Sequence, residues 1–344
     1  MPDYRHVEGN VHFRFVVRFL ARFRLYFIAL QLDRLYLRVY RTLPNSADVP
    51  IALTIGNFDG VHRGHQAMLA RLCEAAGDLD LPAAVMTFDP HPREFFAKDS
   101  APPRLSSLRG KLERFAAHGV ERVYVARFNA SLASLTPIMF IEHVLLDRLG
   151  VRWVLVGEDF RFGKGRAGDL ATLRRAATRF SVEAMTTVAV DGVRASSTAI
   201  RAALADGDLA KAQALLGRPY VISGHVAHGA KLGRNLGFPT ANLPLRHKPP
   251  VTGVFAVRVH GLSLEPRAAV ASVGRRPTVA ADSPMLLEVF IFDFDETIYG
   301  RRIAVEFVHK LRDEERFPDV DTLKRRIGDD VVNAQRFFAE REAA

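Results

Sequence analysis

The sequence predicts an α/β region built on a parallel sheet, followed by a small antiparallel β-barrel and a C-terminal helix. From Ile51 to about Val190, short β-branched runs alternate with helical stretches at a spacing of roughly 30 residues, which is typical of βαβ units. From Tyr220 onward, strand candidates follow one another with Gly and Pro turns between them, which indicates an antiparallel barrel. The length of 344 residues also favours two domains over one.

Short apolar runs define the predicted strands of the first region: Ile51–Ile55, Ala83–Phe88, Arg122–Phe128, Val151–Val156 and Glu183–Val190. Amphipathic stretches predict its helices: His65–Ala76, Leu108–His118, Ile138–Leu149, Asp169–Phe180 and Ser197–Leu216. Ligands of parallel sheets bind beyond the carboxyl ends of the strands. The segments that directly follow the strands are therefore the first candidates for a site.

The barrel region is predicted to begin after a hinge at Gly217-Arg218-Pro219. Its strand candidates are Tyr220–His228, Val254–His260, Ala268–Val273, Leu286–Phe292 and Ile303–Phe307. A helical tail from Asp321 to about Glu340 closes the chain. These limits divide the sequence into residues 1–37, 38–216 and 217–344.

Composition limits the classes of function. A hydrophobic fraction of 48% and a charged fraction of 25% are typical of packed globular domains. Cys73 is the single cysteine, which excludes an internal disulfide framework or a cysteine-based zinc cluster, and we expect a cytoplasmic protein. The net charge of +10 is spread over the chain without the basic block of an RNA-binding module. We therefore expect anionic small molecules as partners and no nucleic acid.

Residues 1–37 form a basic, aromatic extension. Its longest uncharged run, Leu25–Leu32, is far too short to cross a bilayer, so we expect no stable membrane insertion. The preferred interpretation is a dispensable extension that results from a wrongly chosen upstream start codon. The alternative is a basic amphipathic helix at a membrane surface.

The most informative segment runs from Gly56 to His65 and reads GNFDGVHRGH. It lies between a predicted buried strand and a predicted helix, where glycines let the backbone approach a phosphate group. The helix N-terminus adds unpaired N–H groups and a positive dipole. His62 and His65 are three residues apart, so both lie on one face of the first helical turn. This layout suits the binding of a nucleoside triphosphate and the stabilisation of charge during attack on it.

A second group of polar residues follows the fifth predicted strand. Ser197 and Thr198 are expected to cap the helix that begins there, and Arg201 lies on the same face. Hydroxyls, free N–H groups and a guanidinium together make a clamp for a triphosphate. Each of these residues alone is more simply a helix cap or a solvated helix residue. The prediction therefore depends on the combination.

The barrel region carries a loop with three spaced glycines, namely Gly229, Gly233 and Gly237. Their backbone N–H groups are able to surround phosphates. Thr240 and Asn242 alternate by two, so on an extended chain both face the same side and offer the oxygen ligands that Mg²⁺ prefers. Glu288 lies in an apolar strand candidate, where a carboxylate can act as a general base on a substrate hydroxyl.

The segment from Gly56 to His65 resembles the nucleotide-binding signature of the HxGH adenylyl- and cytidylyltransferases. It is most similar to the form found in prokaryotic bifunctional riboflavin kinase/FMN adenylyltransferases, also called FAD synthetases, and the barrel segments resemble riboflavin kinase. The resemblance covers about Leu37 to Phe338. It implies a Rossmann-like nucleotidyltransferase domain followed by a riboflavin kinase barrel. The implied reactions are phosphorylation of the riboflavin 5′-hydroxyl by ATP, giving FMN, and adenylyl transfer from ATP to FMN, giving FAD and pyrophosphate.

The resemblance also implies roles for individual residues. The catalytic residues are His62, His65 and Glu288. The nucleotide-binding residues are Gly56, Phe58, Asp59, Gly60, Gly64, Ser197, Thr198, Arg201, Gly229, Gly233, Thr240 and Asn242. The residues near the flavin are Asn129 and Arg194, and the Mg²⁺ ligands are Thr240 and Asn242. Two positions depart from the commoner family pattern, because Phe255 replaces a usual Tyr and Phe290 a usual His.

Two other functions remain open at this point. One is an adenylyltransferase for a different substrate, with a barrel that only binds. The other is a regulatory protein that binds flavin or RNA and has lost catalysis, although the intact His62, His65, Thr240, Asn242 and Glu288 argue against it. The sequence leaves the oligomeric state undetermined.

Overall fold

The computed structural model describes residues 37–97, 100–229, 237–274 and 285–342, which fall into two compact units. The first unit takes in the described residues up to Asn57 together with Ala67–Phe96 and Leu112–Thr186. The second takes in Phe58–Gln66, Ala97–Lys111 and the chain from Thr187 onward. The predicted N-terminal extension, except Leu37, lies outside the described residues.

The first unit contains a parallel sheet, in agreement with the sequence. Within the described ranges its strands are β1 (Arg38–Tyr40), β2 (Ile51–Ile55), β3 (Ala83–Phe88), β4 (Arg122–Ala126), β5 (Val151–Gly157) and β6 (Ser181–Met185). Their order across the sheet is β1-β4-β3-β2-β5-β6, and every neighbouring pair is parallel. The strands β2 and β3 have the predicted limits. The short strand β1 has no counterpart among the predictions.

Helices connect these strands along the chain. They are α1 (Arg63–Asp78), α2 (Pro92–Ala97), α3 (Leu108–Ala117), α4 (Ala130–Ser134), α5 (Pro137–Met139), the π-helix Phe140–Arg148 that continues α5, and α6 (Leu170–Ala176). The core of the first unit joins residues of β2 and β5 to the π-helix, for example Leu53, Val154 and Leu145, none of which is exposed. Burying such side chains contributes about 1.5–3 kcal/mol each. This packing holds the sheet of the first unit together.

Two corrections to the predicted elements concern the end of the α/β region. The predicted strand Glu183–Val190 is in fact β6 followed by the separate short strand β7 (Ala189–Val190), which pairs with β8 (Val193–Arg194). The predicted helix Ser197–Leu216 is two helices, α7 (Ser197–Ala205) and α8 (Leu209–Leu216). The break falls at Gly207, whose φ of +78° no α-helix accommodates, and Asp208 then caps α8.

The second unit contains an antiparallel barrel that is nearly closed. Its strands in the described part of the chain are β9 (Val221–His225), β10 (Ala241–Pro244), β11 (Gly253–His260), β12 (Arg267–Gly274), β13 (Leu286–Ile291) and β14 (Arg302–Arg312). Their order is β10-β13-β12-β11-β14-β9, and all pairs are antiparallel. The two edges approach where the Ala227 N–H donates to the Asn242 carbonyl at 2.8 Å. The sequence does not predict β10, because this strand is short and carries polar Asn242.

The barrel interior shares one hydrophobic cluster with α7 and α8. Leu204 and Leu216 of these helices belong to the same buried cluster as Phe255 and Phe307 of the barrel. On the outer face, the C-terminal helix Val320–Glu342 packs with Ala334 and Phe338 against Val254 and Val270. The helix thus covers one face of β11 and β12.

Candidate active sites

The first candidate site is built on the loop Phe58–Val61, which directly precedes α1 and is called the α1 loop below. Three of its residues have positive φ, namely Phe58 (48°), Gly60 (83°) and Val61 (41°). Glycine tolerates this region, but the β-branched Val61 does so only at a cost of about 1–3 kcal/mol. Such strain persists where surrounding contacts over-determine the backbone, and it is concentrated at functional sites.

Asp59 is the internal anchor of the α1 loop. Its carboxylate is buried, 4% exposed, and accepts hydrogen bonds from the backbone N–H groups of Leu105 and Ser106, each at 3.1 Å. Arg201 donates to the same carboxylate at 2.5 Å, and the Ser197 hydroxyl donates to the Asp59 carbonyl at 2.9 Å. Asp59 therefore ties the α1 loop to the start of α7 and to the segment before α3.

His62 and His65 lie together at the N-terminus of α1. His62 acts as the helix cap, since its Nδ1 accepts from the His65 backbone N–H at 3.4 Å. The two rings are stacked with centroids 3.6 Å apart. A Cβ on Gly64 would lie 3.3 Å from the His62 ring and 3.4 Å from the Ala195 carbonyl oxygen, so glycine leaves the room that the histidine pair needs. The predicted adjacency of the two histidines is confirmed by this geometry.

Both imidazoles are neutral at physiological pH. Desolvation lowers the pKa of His62 to about 4, with smaller opposing and supporting effects from the charges of Asp59, Arg194 and Arg218. Desolvation also holds the pKa of His65 well below its ordinary value. Because His62 Nδ1 accepts from a backbone N–H, the ring proton of His62 is on Nε2. Each histidine therefore offers an N–H donor without a full positive charge.

The other predicted clamp residues belong to the same unit as the histidine pair. One correction concerns the helix cap. The residue that caps α7 is Ser196, whose hydroxyl accepts from the Ala199 N–H at 3.2 Å, rather than Ser197 or Thr198. Thr198 is exposed, and Arg194 lies exposed on β8. Arg201 is engaged with Asp59 and with the Pro103 carbonyl, to which its Nε donates at 2.6 Å. In this arrangement Arg201 shapes the loop around the histidines.

Several residues of the site carry no local sequence signal. Arg218 donates to the carbonyls of Gly60 and Val61, and Gln66 also donates to Val61. The Ser106 hydroxyl accepts from the Gly60 N–H at 3.0 Å. Arg218 and Ser106 are distant in sequence from the α1 loop, so neither spacing nor motif could have indicated them.

Asn129 belongs to the first unit and caps α4, because its side-chain oxygen accepts from the Leu132 N–H at 2.9 Å. It directly follows Phe128, which lies just beyond the carboxyl end of β4. Phe128 contacts the rings of Phe88, Phe95 and Phe96 at centroid distances of 5.8, 5.5 and 5.7 Å. Phe96 is 70% exposed, so this aromatic cluster presents an apolar surface to solvent. Gly56 also lies in this unit, at the end of β2.

The second candidate site lies on the outer face of the barrel. Asn242 is directly opposite Glu288, and Glu288 is directly opposite Ser272, so three polar side chains form a row across β10, β13 and β12. Their sequence neighbours Leu243, Leu287 and Val273 face the core on the other side. Asn242 is buried, and its side-chain nitrogen donates to the Thr240 carbonyl at 3.1 Å. The register therefore brings Asn242 and Glu288 side by side on one face of the barrel.

Gly229 lies against this row. A Cβ at Gly229 would lie 2.6–2.8 Å from the side-chain atoms of Asn242, which no side chain tolerates. Thr240 immediately precedes β10 and is half-buried. Gly233 lies outside the described residues.

The two departures from the family pattern fall on different faces of the barrel. Phe255 is fully buried in the barrel core, edge-on to Phe307 with centroids 5.1 Å apart. It pairs with Ala271, while its neighbour Val254 pairs with Ser272 on the Glu288 face. Phe290 is two residues from Glu288 on that same outer face and is edge-on to Phe238. Position 290 is therefore the departure that faces the candidate base.

Within the described ranges, no group of three or more His, Cys, Asp or Glu side chains could hold a metal ion by itself. None of the helices in this part of the chain is both long and apolar enough to cross a membrane.

A histidine pair at the head of α1 and a polar row on an antiparallel barrel define a nucleotidyltransferase joined to a small-molecule kinase. Comparison with family models agrees with this class. Residues 45–199 match the FAD synthetase model, and residues 216–338 match the riboflavin kinase model.

Curated relatives extend the match over most of the chain. A bifunctional riboflavin kinase/FMN adenylyltransferase of Escherichia coli K12 is 47% identical over 308 residues, which cover 88% of this chain and 98% of that protein. The protein of the same description from Haemophilus influenzae is 48% identical over 290 residues, covering 83% and 94%. The chain therefore belongs to the bifunctional riboflavin kinase/FMN adenylyltransferase family.

A solved structure shares the fold. A Streptococcus pneumoniae protein described as a macrolide-efflux protein superimposes with a TM-score of 0.71 at 30% identity, covering 86% of this chain and 99% of that one. The similarity between the two proteins is one of backbone fold.

Proposed function

We propose that the barrel phosphorylates riboflavin with ATP to give FMN, and that the α/β region then transfers the adenylyl group of a second ATP to FMN. The observation that carries the proposal is the pair of neutral, stacked histidines at the N-terminus of α1, in a chain that also carries the Asn242–Glu288 row. The family relationship supports both reactions.

In the kinase reaction, Glu288 accepts the proton of the riboflavin 5′-hydroxyl, and the oxygen attacks the γ-phosphorus of ATP. The bond to the β-phosphate oxygen breaks, and ADP leaves with the electron pair. The position of Glu288 between Asn242 and Ser272 supports this role, because both neighbours can orient the carboxylate and the nucleotide.

Mg²⁺ fits the donor set beside Glu288. Thr240 and Asn242 provide oxygen atoms, and Mg²⁺ is usually held by one or two protein groups together with substrate phosphates and water. That agrees with the lack of an acidic cluster in the described residues. When bound with ATP, Mg²⁺ neutralises phosphate charge. The lack of a side chain at Gly229 lets the backbone pass close to Asn242.

In the adenylyl transfer, a phosphate oxygen of FMN attacks the α-phosphorus of ATP in line, and pyrophosphate leaves. His62 and His65 donate hydrogen bonds to the phosphates, and the N-terminus of α1 adds its dipole. Nδ1 of His65 is buried and has no hydrogen-bond partner among the described residues. An unpaired polar atom of this kind is expected where a ligand completes the site. Four further residues either line the phosphates or hold the α1 loop that lines them: Arg194, Ser197, Thr198 and Arg201.

The aromatic cluster around Phe128 supports a flavin site beside Asn129. Its exposed Phe96 ring offers an apolar surface that suits a fused aromatic ring system. The matched ranges 45–199 and 216–338 support a boundary between the two activities at 216/217. The substrates and the single cysteine support a cytoplasmic location.

The direct test is a chromatographic time course with purified protein, riboflavin, ATP and Mg²⁺. We expect FMN to appear first and then to convert into FAD. FMN that accumulates without FAD would contradict the adenylyl transfer, and FAD formed only from added FMN would contradict the kinase. No product from either flavin would refute the proposed function as a whole.

The assignment of Glu288 has its own test. Glu288→Gln removes the base but keeps the shape of the side chain, so we expect FMN formation to fall at least about 100-fold while FAD formation from added FMN persists. Retained riboflavin phosphorylation in this variant would exclude Glu288 as the base.

A further inference from the structure

Arg218 lies between α8 and β9, yet its side chain reaches the α1 loop. Its Nη2 donates to the Gly60 carbonyl at 2.6 Å, and its Nη1 donates to the carbonyls of Val61 at 3.1 Å and Leu216 at 3.2 Å. The guanidinium fork therefore holds two consecutive carbonyls of the strained loop. Gln66 shares the Val61 and Leu216 carbonyls, but Gly60 is held by Arg218.

These carbonyl contacts fix the direction of the first histidine. The Val61 carbonyl and the His62 N–H belong to one planar peptide and point in opposite directions. Holding the Val61 oxygen therefore sets the orientation of the His62 N–H and of the Cα that carries its ring. The loop needs such support because Val61, at φ 41°, is in a conformation that β-branched residues disfavour.

Arg218 is itself held from both sides. Gly217 ends α8 in a left-handed conformation, φ 73°, and its N–H donates to the Gln213 carbonyl at 2.7 Å. Two residues after Arg218, the backbone carbonyl of the buried Tyr220 accepts from the Phe307 N–H at 3.0 Å. The Tyr220 ring also packs against the Phe307 ring. The start of the barrel thus determines where the Arg218 guanidinium lies.

We propose that Arg218 is a positioning residue for adenylyl transfer: its guanidinium holds the Gly60 and Val61 carbonyls and so keeps His62 aimed at the ATP phosphates. The kinase barrel thereby supports the other reaction through one side chain. This inference rests on the proposed function for its kinetic test, although the contacts of Arg218 stand independently of it.

The kinetic test uses Arg218→Ala and Arg218→Lys in the full chain. A misplacement of about 1 Å costs roughly 100-fold in rate. We therefore expect Arg218→Ala to lower the rate of FAD formation from FMN by about that factor, mostly in kcat, with FMN formation from riboflavin unchanged. Lys should restore only part, because a single ammonium lacks the fixed fork of donors. Methylguanidinium added to the Ala variant should restore FAD formation in part.

Arg148→Ala is the matched control, because Arg148 donates to the carbonyls of Pro44 at 2.7 Å and Leu43 at 3.4 Å in another loop. It should leave both reactions unchanged. Unaltered FAD formation in Arg218→Ala, or an equal loss of both reactions, would overturn the proposal. If Arg218→Ala does not fold, Arg218→Lys decides, since a rate equal to that of the unmodified chain would equally overturn it.

A second readout works without turnover. In ¹³C-histidine-labelled protein, the His62 and His65 ring signals should shift in Arg218→Ala and stay in place in Arg148→Ala. Unmoved ring signals would overturn the positioning role even if the unmodified chain formed no FAD. A shift in a chain that forms no FAD would retain the role for Arg218 and reject the proposed adenylyl transfer.

Discussion

At the scale of residues, the histidine pair depends on being uncharged. Two imidazolium rings at a centroid distance of 3.6 Å would repel, and burial removes the water that would solvate them. The neutral rings keep one N–H donor each, and positive charge comes from neighbours such as Arg194 and Arg218. The site therefore separates hydrogen-bond donation from charge.

His65→Ala should remove one of these donors. Loss of a single preorganised donor costs about 10²–10³-fold in kcat, so we expect FAD formation to fall by that factor while FMN formation is retained. The exposed His143 is the control, and His143→Ala should change neither rate. Equal loss of both reactions from His65→Ala, in a folded chain, would contradict separate sites.

The lowered pKa of His62 also predicts a pH dependence of stability. The folded pKa, about 4, is below the unfolded value of 6.5, so the unfolded chain binds more protons in acid. The contribution of His62 to the free energy of unfolding is present above pH 6.5 and is lost as the pH falls towards 4. By pH 5 the loss from this group is about 2 kcal/mol.

Urea unfolding at about pH 7.5 and about pH 5 measures this effect. The free energy of unfolding of His62→Gln should fall less between the two pH values than that of the unmodified chain. His143→Gln, at an exposed position, is measured alongside as the control for replacing a histidine. Identical pH dependence in His62→Gln and the unmodified chain would contradict the lowered pKa.

At the scale of elements, the barrel site depends on a close approach between the Gly229 backbone and the Asn242 side chain. Gly229 needs no positive φ, yet a Cβ there would overlap the Asn242 side chain. Glycine is required at position 229 because the Asn242 side chain occupies the space that a Cβ would fill.

Gly229→Ala should therefore displace Asn242 and slow FMN formation by at least about tenfold, while FAD formation from FMN persists. Gly77→Ala in α1 is the matched control, since a Cβ there meets nothing within 4 Å. It should be neutral or slightly stabilising, as expected for an exposed helical glycine. Unchanged FMN formation in Gly229→Ala would contradict the tight contact.

The C-terminal helix is fastened to the barrel by an ion pair. Arg312 on β14 donates to both oxygens of Asp330 at 2.8 and 2.6 Å, and both side chains are nearly buried. Removing one partner leaves a buried charge, so Asp330→Ala should lower the free energy of unfolding by about 3–5 kcal/mol. Replacing both partners with apolar residues should recover most of that loss.

Glu315→Ala provides the comparison for that pair. It breaks the more exposed Arg326–Glu315 pair, which should contribute at most about 1 kcal/mol. Urea unfolding of Asp330→Ala, of the double apolar variant and of Glu315→Ala measures the three changes in the free energy of unfolding. Equal effects of Asp330→Ala and Glu315→Ala would show that the buried pair is not what holds the helix.

At the scale of the whole molecule, the two activities match separate ranges of the chain and are linked by FMN as a shared intermediate. Family membership assigns one reaction to each matched range, 45–199 and 216–338. Because His65→Ala is expected to disable one reaction and Glu288→Gln the other, complementation between chains is expected.

An equimolar mixture of His65→Ala and Glu288→Gln should convert riboflavin into FAD, because FMN made by one chain reaches the other through solution. Each variant alone should not. The lag before FAD appears should shorten as the protein concentration rises. A mixture that accumulates FMN without FAD would show that FMN is not exchanged between chains.

The sequence by itself determined the features that depend on short spacing. Strands β2 and β3 have their predicted limits, and His62 and His65 meet at the start of α1, because strand and helix periodicity place nearby residues without knowledge of the rest of the chain. The pairing of Asn242 with Glu288 became visible only in the folded barrel. The break at Gly207 became visible only in the backbone conformation.

Only the tertiary structure decided what surrounds the histidines. Arg201 and Asp59 are 142 residues apart, and Arg218 and Gly60 are 158 apart. Contacts of that separation leave no periodic trace in the sequence, since any arginine is compatible with many carbonyl or carboxylate partners. The motif indicated which chemistry the chain carries, whereas long-range packing selected the side chains that hold the motif in place.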